Sequence, residues 1–173
     1  MFFIRSLEDC KDLRSFSAQD VADALLNYAP YEHGFFWWGG YGVSTEHTAY
    51  LNLRNGIPAP RSGSVEQNGS TMAEQIGGQI FIDPWGLVSP GNPEQAARLA
   101  EKAASVTHGG NGVWGGVYVA CAISLAFVGA RPGGCPWKTA LHYIPQDCEY
   151  ARVVRAVTAF YREHPDNWRE CFQ

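Results

Sequence analysis

Apolar residues along this chain recur mostly at three- and four-residue spacing, the period of helices. The clearest helix start is Gly91-Asn92-Pro93-Glu94-Gln95. Asn92 is placed as N-cap, Pro93 as first helical residue, and Gln95 to close a capping box. That helix buries Ala96, Leu99, Ala100, Ala103 and Val106 and ends at His108-Gly109-Gly110. Ser17 and Asp20 form a similar box, with Phe16 and Val21 as hydrophobic staple, for a helix running to about Tyr28 and ended by Pro30. Ser44 or Thr45 caps a third helix through Tyr50 and Leu53, stopped by Asn55-Gly56. Phe2, Phe3 and Leu7 mark the buried side of a short helix that starts abruptly at residue 1.

Further on, Gly112 to Val128 is apolar on every side and carries Gly115, Gly116, Ala120 and Ser124, as expected of a central helix with close neighbours. A late helix covers Cys148 to Glu163, with Val153, Val154, Val157 and Phe160 as its apolar positions, and Pro165 stops it. Asp166 to Phe172 opens another. Strand signals are scarce: Gln79 to Ile82 reads as a short strand, although Ala73 to Leu87 also reads as a helix interrupted by glycine and proline. Between helices lie an aromatic, glycine-rich loop from Tyr31 to Gly42 and a Pro/Ser/Gly loop from Pro58 to Ser64. The pattern implies an all-α fold and, with no repeat or low-complexity linker, one domain over residues 1–173.

Composition removes several classes of function. Apolar residues make up 46% of the 173 residues and charged residues 17%, against ~25% in typical soluble chains, which excludes a disordered chain. Thirteen basic residues against 17 acidic, without basic clusters, argue against a nucleic-acid partner. Residues 103–130 lack Asp, Glu, Lys and Arg, but Ser105, Thr107, His108 and Asn111 break the run, so a buried helix is expected and not a membrane span. The apolar Met1-Phe2-Phe3-Ile4 is followed at once by Arg5, Glu8 and Asp9, too short a core for a signal peptide. Five cysteines without a CxxC pair point to a reducing cytoplasm.

The chemistry-bearing residues narrow to a few places. There is no GxGxxG after a strand, no P-loop lysine, no GxSxG elbow and no HExxH. Glu46-His47 reads mainly as a solvated first turn and secondarily as a site. Cys121, midway along the apolar helix, reads as inert core filler. Two loops carry more. Glu74-Gln75-Ile76-Gly77-Gly78-Gln79 suits close approach of a ligand to the backbone, or a tight helix–helix contact. Ser105 to Asn111 sets His108 between the end of one helix and the start of the next, as a cap or as a ligand contact.

At these two loops the chain resembles the ADP-ribosylglycohydrolase family, most strongly over 74–127 (EQIGGQIFIDPWGLVSPGNPEQAARLAEKAASVTHGGNGVWGGVYVACAISLAF). A glycine-rich loop, a PGDPE-like helix start with Asn92 in the Asp position, a Ser/Thr-His helix end and an alanine-rich buried helix follow in the family's order. The resemblance implies an orthogonal all-α bundle. It also implies hydrolysis of a glycosidic bond to ADP-ribose, from a protein side chain or a small molecule. Gly77, Gly78 and Gln79 take the role of the ribose–phosphate loop, and His108 that of a histidine near the substrate.

The family's magnesium centre draws its ligands from a GDALG-like and an Asp-Asp-Thr-like element before this region and a DTD-like element after it. None of them occurs in this chain. The expectation is therefore the central part of a larger, incomplete domain, without metal or turnover on its own. A non-catalytic ADP-ribose or nucleotide-binding module, or a purely structural helical domain, are the alternatives. The incomplete bundle is also expected to expose an apolar face including Phe2, Phe3, Trp114 or Phe172.

Overall fold

A computed structural model describes residues 2–29, 39–129 and 135–172. The expectations on residues 30–38 of the aromatic loop and on the side chains of Phe2, Phe3 and Phe172 lie outside the described residues. The elements are α1 (Phe2–Asp9), α2 (Ala18–Tyr28), α3 (Thr45–Arg54), α4 (Val65–Asn68), α5 (Ser70–Ala73), α6 (Gly77–Ile80), α7 (Asp83–Leu87), α8 (Pro93–Ala104), α9 (Gly110–Ala126), α10 (Pro136–Ala140) and α11 (Glu149–Glu163). Short 3-10 turns occur at Arg61–Gly63, Leu141–Tyr143 and Trp168–Phe172. Among the described residues there is no strand, and the fold is all-α.

The helix starts follow their capping chemistry. The Ser17 N–H donates to Asp20 Oδ2 at 2.7 Å and the Asp20 N–H returns to Ser17 Oγ. Ser44, not Thr45, caps α3, accepting from the His47 N–H at 3.1 Å. Asn92 accepts from the Gln95 N–H at 3.1 Å, but its own N–H goes to the Ser89 carbonyl, so the box there is half formed.

Helix α9 is the hub, packed by α8, α7, α10 and α6. Its neighbours come close because small residues line it. A Cβ on Gly86 of α7 would lie 2.6 Å from the Ala120 carbonyl oxygen, and one on Gly116 would lie 2.6 Å from that of Gly78. Backbone approach of this kind admits no side chain. Phe16, Leu25, Tyr50, Ile82 and Trp85 fill the core beside it, each 2% exposed or less. The Phe16 and Trp85 ring centroids stand 5.7 Å apart. Burial of each such side chain is worth about 1.5–3 kcal/mol.

Five sequence expectations change. Gln79 to Ile82 is not a strand: α6 covers Gly77–Ile80, and the helix envisaged from Ala73 to Leu87 is broken into short turns. The central helix starts two residues earlier and ends two earlier than expected, at Gly110 and Ala126. The last element is a 3-10 turn at Trp168–Phe172. On α11, Val153 and Val157 are 54% and 50% exposed, lining an open groove of about 520 Å3 with Trp137 and Tyr161. The expected exposure of Trp114 is partial. No helix among the described residues is long and apolar enough to cross a membrane, since the 105–109 turn divides α8 from α9.

Candidate functional site

Three chain segments meet at the Gly-Gly pair. The first turn of α3 supplies Thr45 and Glu46. The start of α6 supplies Gly77 and Gly78, and the α8–α9 turn supplies Thr107 and His108. The α8–α9 turn is held from behind. Ser62 Oγ donates to the Val106 carbonyl at 2.7 Å, and Gly63 lies against the Thr107–His108 backbone so closely that it admits no Cβ. The His108 N–H closes α8 by donating to the Ala104 carbonyl at 2.8 Å.

His108 is 1% exposed, and its Nδ1 lies 2.7 Å from Thr107 Oγ1. Burial lowers its pKa to about 4, so the ring is neutral at pH 7. Its Nε2 has no hydrogen-bond partner among the described residues. The nearest acceptor, Glu46 Oε1, stands 3.9 Å away, beyond hydrogen-bond reach. Glu46 is itself steered: Ser44 Oγ donates to its other oxygen at 3.2 Å. The gap between ring and carboxylate lies over Gly77. A Cβ there would lie 2.8 Å from His108 Nε2 and overlap Glu46 Oε1.

The two glycines separate into different roles. Gly77 faces the polar atoms, whereas a Cβ on Gly78 would overlap the Gly112 carbonyl oxygen of α9. Gly78 is thus the helix–helix contact, and Gly77 the residue that lets Glu46 and His108 close over the backbone. Gln79 is drawn away from His108: it packs over Gly115, and its Oε1 accepts from Tyr150 OH at 2.9 Å. Burial, and secondly Tyr118, pushes the Tyr150 pKa up to about 12, so the phenol stays a donor. The sequence reading therefore finds His108 and Gly77 together, with Gly78 behind them and Gln79 to one side.

The sequence reading gives Glu46 second place, Thr45 only a capping role and Glu74 only a place in the glycine loop, without the contacts that join them to the site. His47, read as part of a solvated turn, is only 6% exposed, and Glu46 is half-buried against His108. Thr45 Oγ1 lies 3.0 Å from the Met72 carbonyl and 2.9 Å from Gln75 Oε1, and its one hydroxyl hydrogen, given to either, ties α3 to the glycine loop. The Thr-Glu-His run was the one signal for this. Glu74 Oε1 accepts from the Asn111 N–H at 3.0 Å and from Asn111 Nδ2 at 3.2 Å, occupying the start of α9 with a carboxylate of the chain itself. On its other side the α8–α9 turn, His108 included, lines a cleft of about 940 Å3 with Arg61, Glu66, Glu101 and Trp114.

Cys121 is fully buried, and burial, with the Glu94 carboxylate second, pushes its pKa up to about 12. Its thiol donates to the Pro93 carbonyl at 3.4 Å, the environment of a core residue. Among the described residues no three His, Cys, Asp or Glu side chains come together as metal ligands.

Comparison with curated proteins and with solved structures gives no match in either case. Comparison with protein-family models matches ADP-ribosylglycohydrolase over residues 1–172, well beyond the stretch where the motifs are densest. Chain-long agreement with that family, on an all-α fold that joins the glycine loop to the buried histidine, places this protein in the ADP-ribosylglycohydrolase family.

Proposed function

We propose that this chain forms the ligand-binding helical domain of an ADP-ribosylglycohydrolase-like hydrolase. The bond addressed is the glycosidic link between ADP-ribose and a protein side chain or small molecule. The observation that carries this reading is His108: neutral, buried, held at Nδ1 by Thr107, and turning a free Nε2 toward Gly77. A buried polar atom without a partner is costly, and a ligand hydroxyl there satisfies it. The five cysteines are all free, in keeping with a reducing cytoplasm.

Glycohydrolases of this family generally depend on a metal, which orients substrate and activates water where it is bound. The described side chains do not fit such a centre. A magnesium ion takes six oxygens in octahedral array. Glu46 has an imidazole beside it, and Glu74 is spent on Asn111. We therefore assign binding and orientation to this chain and no turnover on its own.

Calorimetry with ADP-ribose, with and without magnesium, tests the reading, together with release of ADP-ribose from a modified peptide. Magnesium-independent binding without release is expected. Magnesium-dependent release overturns the assignment of binding alone, and absence of binding overturns the ligand-binding role.

A further inference from the structure

We propose that the groove between α10 and α11 is a binding site for an apolar carboxylate, a compound with an aliphatic or aryl body and one acidic head, such as a medium-chain fatty acid. No residue of the glycine loop or of the α8–α9 turn lines this groove, so the site is separate from the ADP-ribosyl site and does not depend on it.

The walls are apolar and open. Val153, Val157 and Tyr161 follow one another at four-residue spacing on α11, and Trp137 faces the same space from α10. A stripe of this kind is ordinarily the buried side of a helix, yet here Tyr161 is 63% and Trp137 58% exposed. The space they border, about 520 Å3, falls in the range of small-ligand pockets, ~300–1,000 Å3. Its lining is ten residues, whereas a protein partner engages roughly 20–30 on each side. The size therefore suits a small molecule.

The floor supplies a hydrogen-bond donor. Tyr118 of α9 is 8% exposed, and its ring packs on Tyr150 with centroids 5.5 Å apart. Its hydroxyl has no hydrogen-bond partner among the described residues. The nearby tyrosines differ: Tyr150 donates to Gln79 and Tyr143 to Glu94. Burial, and secondly Cys135, raises the Tyr118 pKa, so the phenol keeps its hydrogen. A largely buried phenol without a partner is costly, and an oxygen of a bound molecule satisfies it.

Charge fixes the sign of the head. Lys138 and Arg162 line both this groove and the smaller cleft beside it, so they stand where the two meet. Neither side chain has a hydrogen bond or ion pair among the described residues. Arg155 adds a third cation to the cleft, held by the Gln146 carbonyl at 2.6 Å. No Asp or Glu lines either space, and Glu149 at the start of α11 is taken by Arg152 at 2.8 Å. In a chain of net charge -4 this is a local excess of cations. A carboxylate suits Arg162 through its forked donors and Lys138 as a point charge. A second copy of the chain docking here by two-fold symmetry would set the same cations against one another.

The test uses the full chain and three probes in calorimetry. They are laurate below its micelle concentration, dodecyltrimethylammonium with a like tail and the opposite charge, and acetate as the head alone. Laurate is expected to bind saturably at one per chain, at least about tenfold tighter than the cation, and acetate not to bind. Tyr118→Phe, which removes only the hydroxyl, is expected to weaken laurate about fivefold, and Lys138→Gln combined with Arg162→Gln about tenfold. Val157→Glu, which sets a like charge in the groove, is expected to abolish binding. Unchanged thermal melting of the variants without ligand shows that the fold is intact. Absence of laurate binding, equal affinity for the two amphiphiles, or unaltered laurate affinity in Tyr118→Phe or in the Lys138/Arg162 double variant overturns the proposal. A dimer in sedimentation that Val157→Glu dissociates assigns the groove to a second copy and overturns it likewise. None of these outcomes bears on ADP-ribose binding, which is read separately.

Discussion

The Glu74 carboxylate accepts the backbone N–H of Asn111 at 3.0 Å, so a loop residue 37 positions earlier caps the first turn of the central helix. Gly109, at the N-cap position, has no side chain to do so. Two effects favour this contact: an orphan N–H is satisfied, and a negative charge meets the positive end of the helix. Glu74→Ala removes both, with an expected loss of about 1 kcal/mol in urea unfolding. Glu74→Gln keeps the acceptor and is expected to lose about half of that. Equal midpoints for all three proteins overturn the capping role.

The adjacent glycines predict opposite phenotypes. Gly78→Ala sets a Cβ against the Gly112 carbonyl, which belongs to the backbone of α9 and cannot turn aside. Overpacking of this kind costs about 2 kcal/mol, so the melting temperature is expected to fall clearly. Gly77→Ala instead meets the ends of two side chains, of which Glu46 can swing outward by giving up its bond from Ser44. Its melting temperature is expected to fall less, while ADP-ribose binding is lost. Melting curves and calorimetry on the two variants separate packing from site. The reverse pattern contradicts the division of roles.

Much of the fold is readable from local chemistry because capping is local. Ser17 with Asp20 and Asn92 with Pro93 mark their helix starts without reference to the rest of the chain. Stretches of mixed pattern are harder. Gln79 to Ile82 reads as strand while Ala73 to Leu87 around it reads as an interrupted helix, and the close contact of Gly78 and Gly86 with α9 decides it. Val153 and Val157 have helical spacing, yet spacing states only that a face exists, not that a partner covers it. In the site, His108 and Gly77 are legible as motifs. Glu46 is legible only as a second-choice site, because it lies 3.9 Å from a residue 62 positions away, and no short pattern encodes that distance.

The inert reading of Cys121 has a direct check. A thiol with its pKa raised to about 12 holds almost no thiolate at neutral pH, and this one is also fully buried. Cys10, Cys135, Cys148 and Cys171 are partly exposed. Alkylation of the native protein followed by peptide mapping is expected to label Cys121 only after denaturation. Labelling of Cys121 as fast as the others overturns its placement in the core.

His108 links the site to stability through pH. Its pKa falls from the ordinary 6.5 to about 4 in the folded chain, because burial disfavours the charged ring. Between these values the unfolded chain binds more protons than the folded one, so stability rises with pH across this window. On acidification the contribution is lost from about pH 6.5 downward and is gone below about pH 4. A fall of this size corresponds to about 3 kcal/mol. His108→Asn removes the titrating group while retaining a polar side chain. It is expected to be less stable than the parent at pH 7, because the packing against Phe81 and Gly78 is reduced. Its stability is also expected to change less steeply between pH 6.5 and pH 4. Urea unfolding across that range reads both quantities, and the slope is the decisive one. Parallel curves for the two proteins mean that His108 is not the buried neutral base described here, even if the mutation is destabilising.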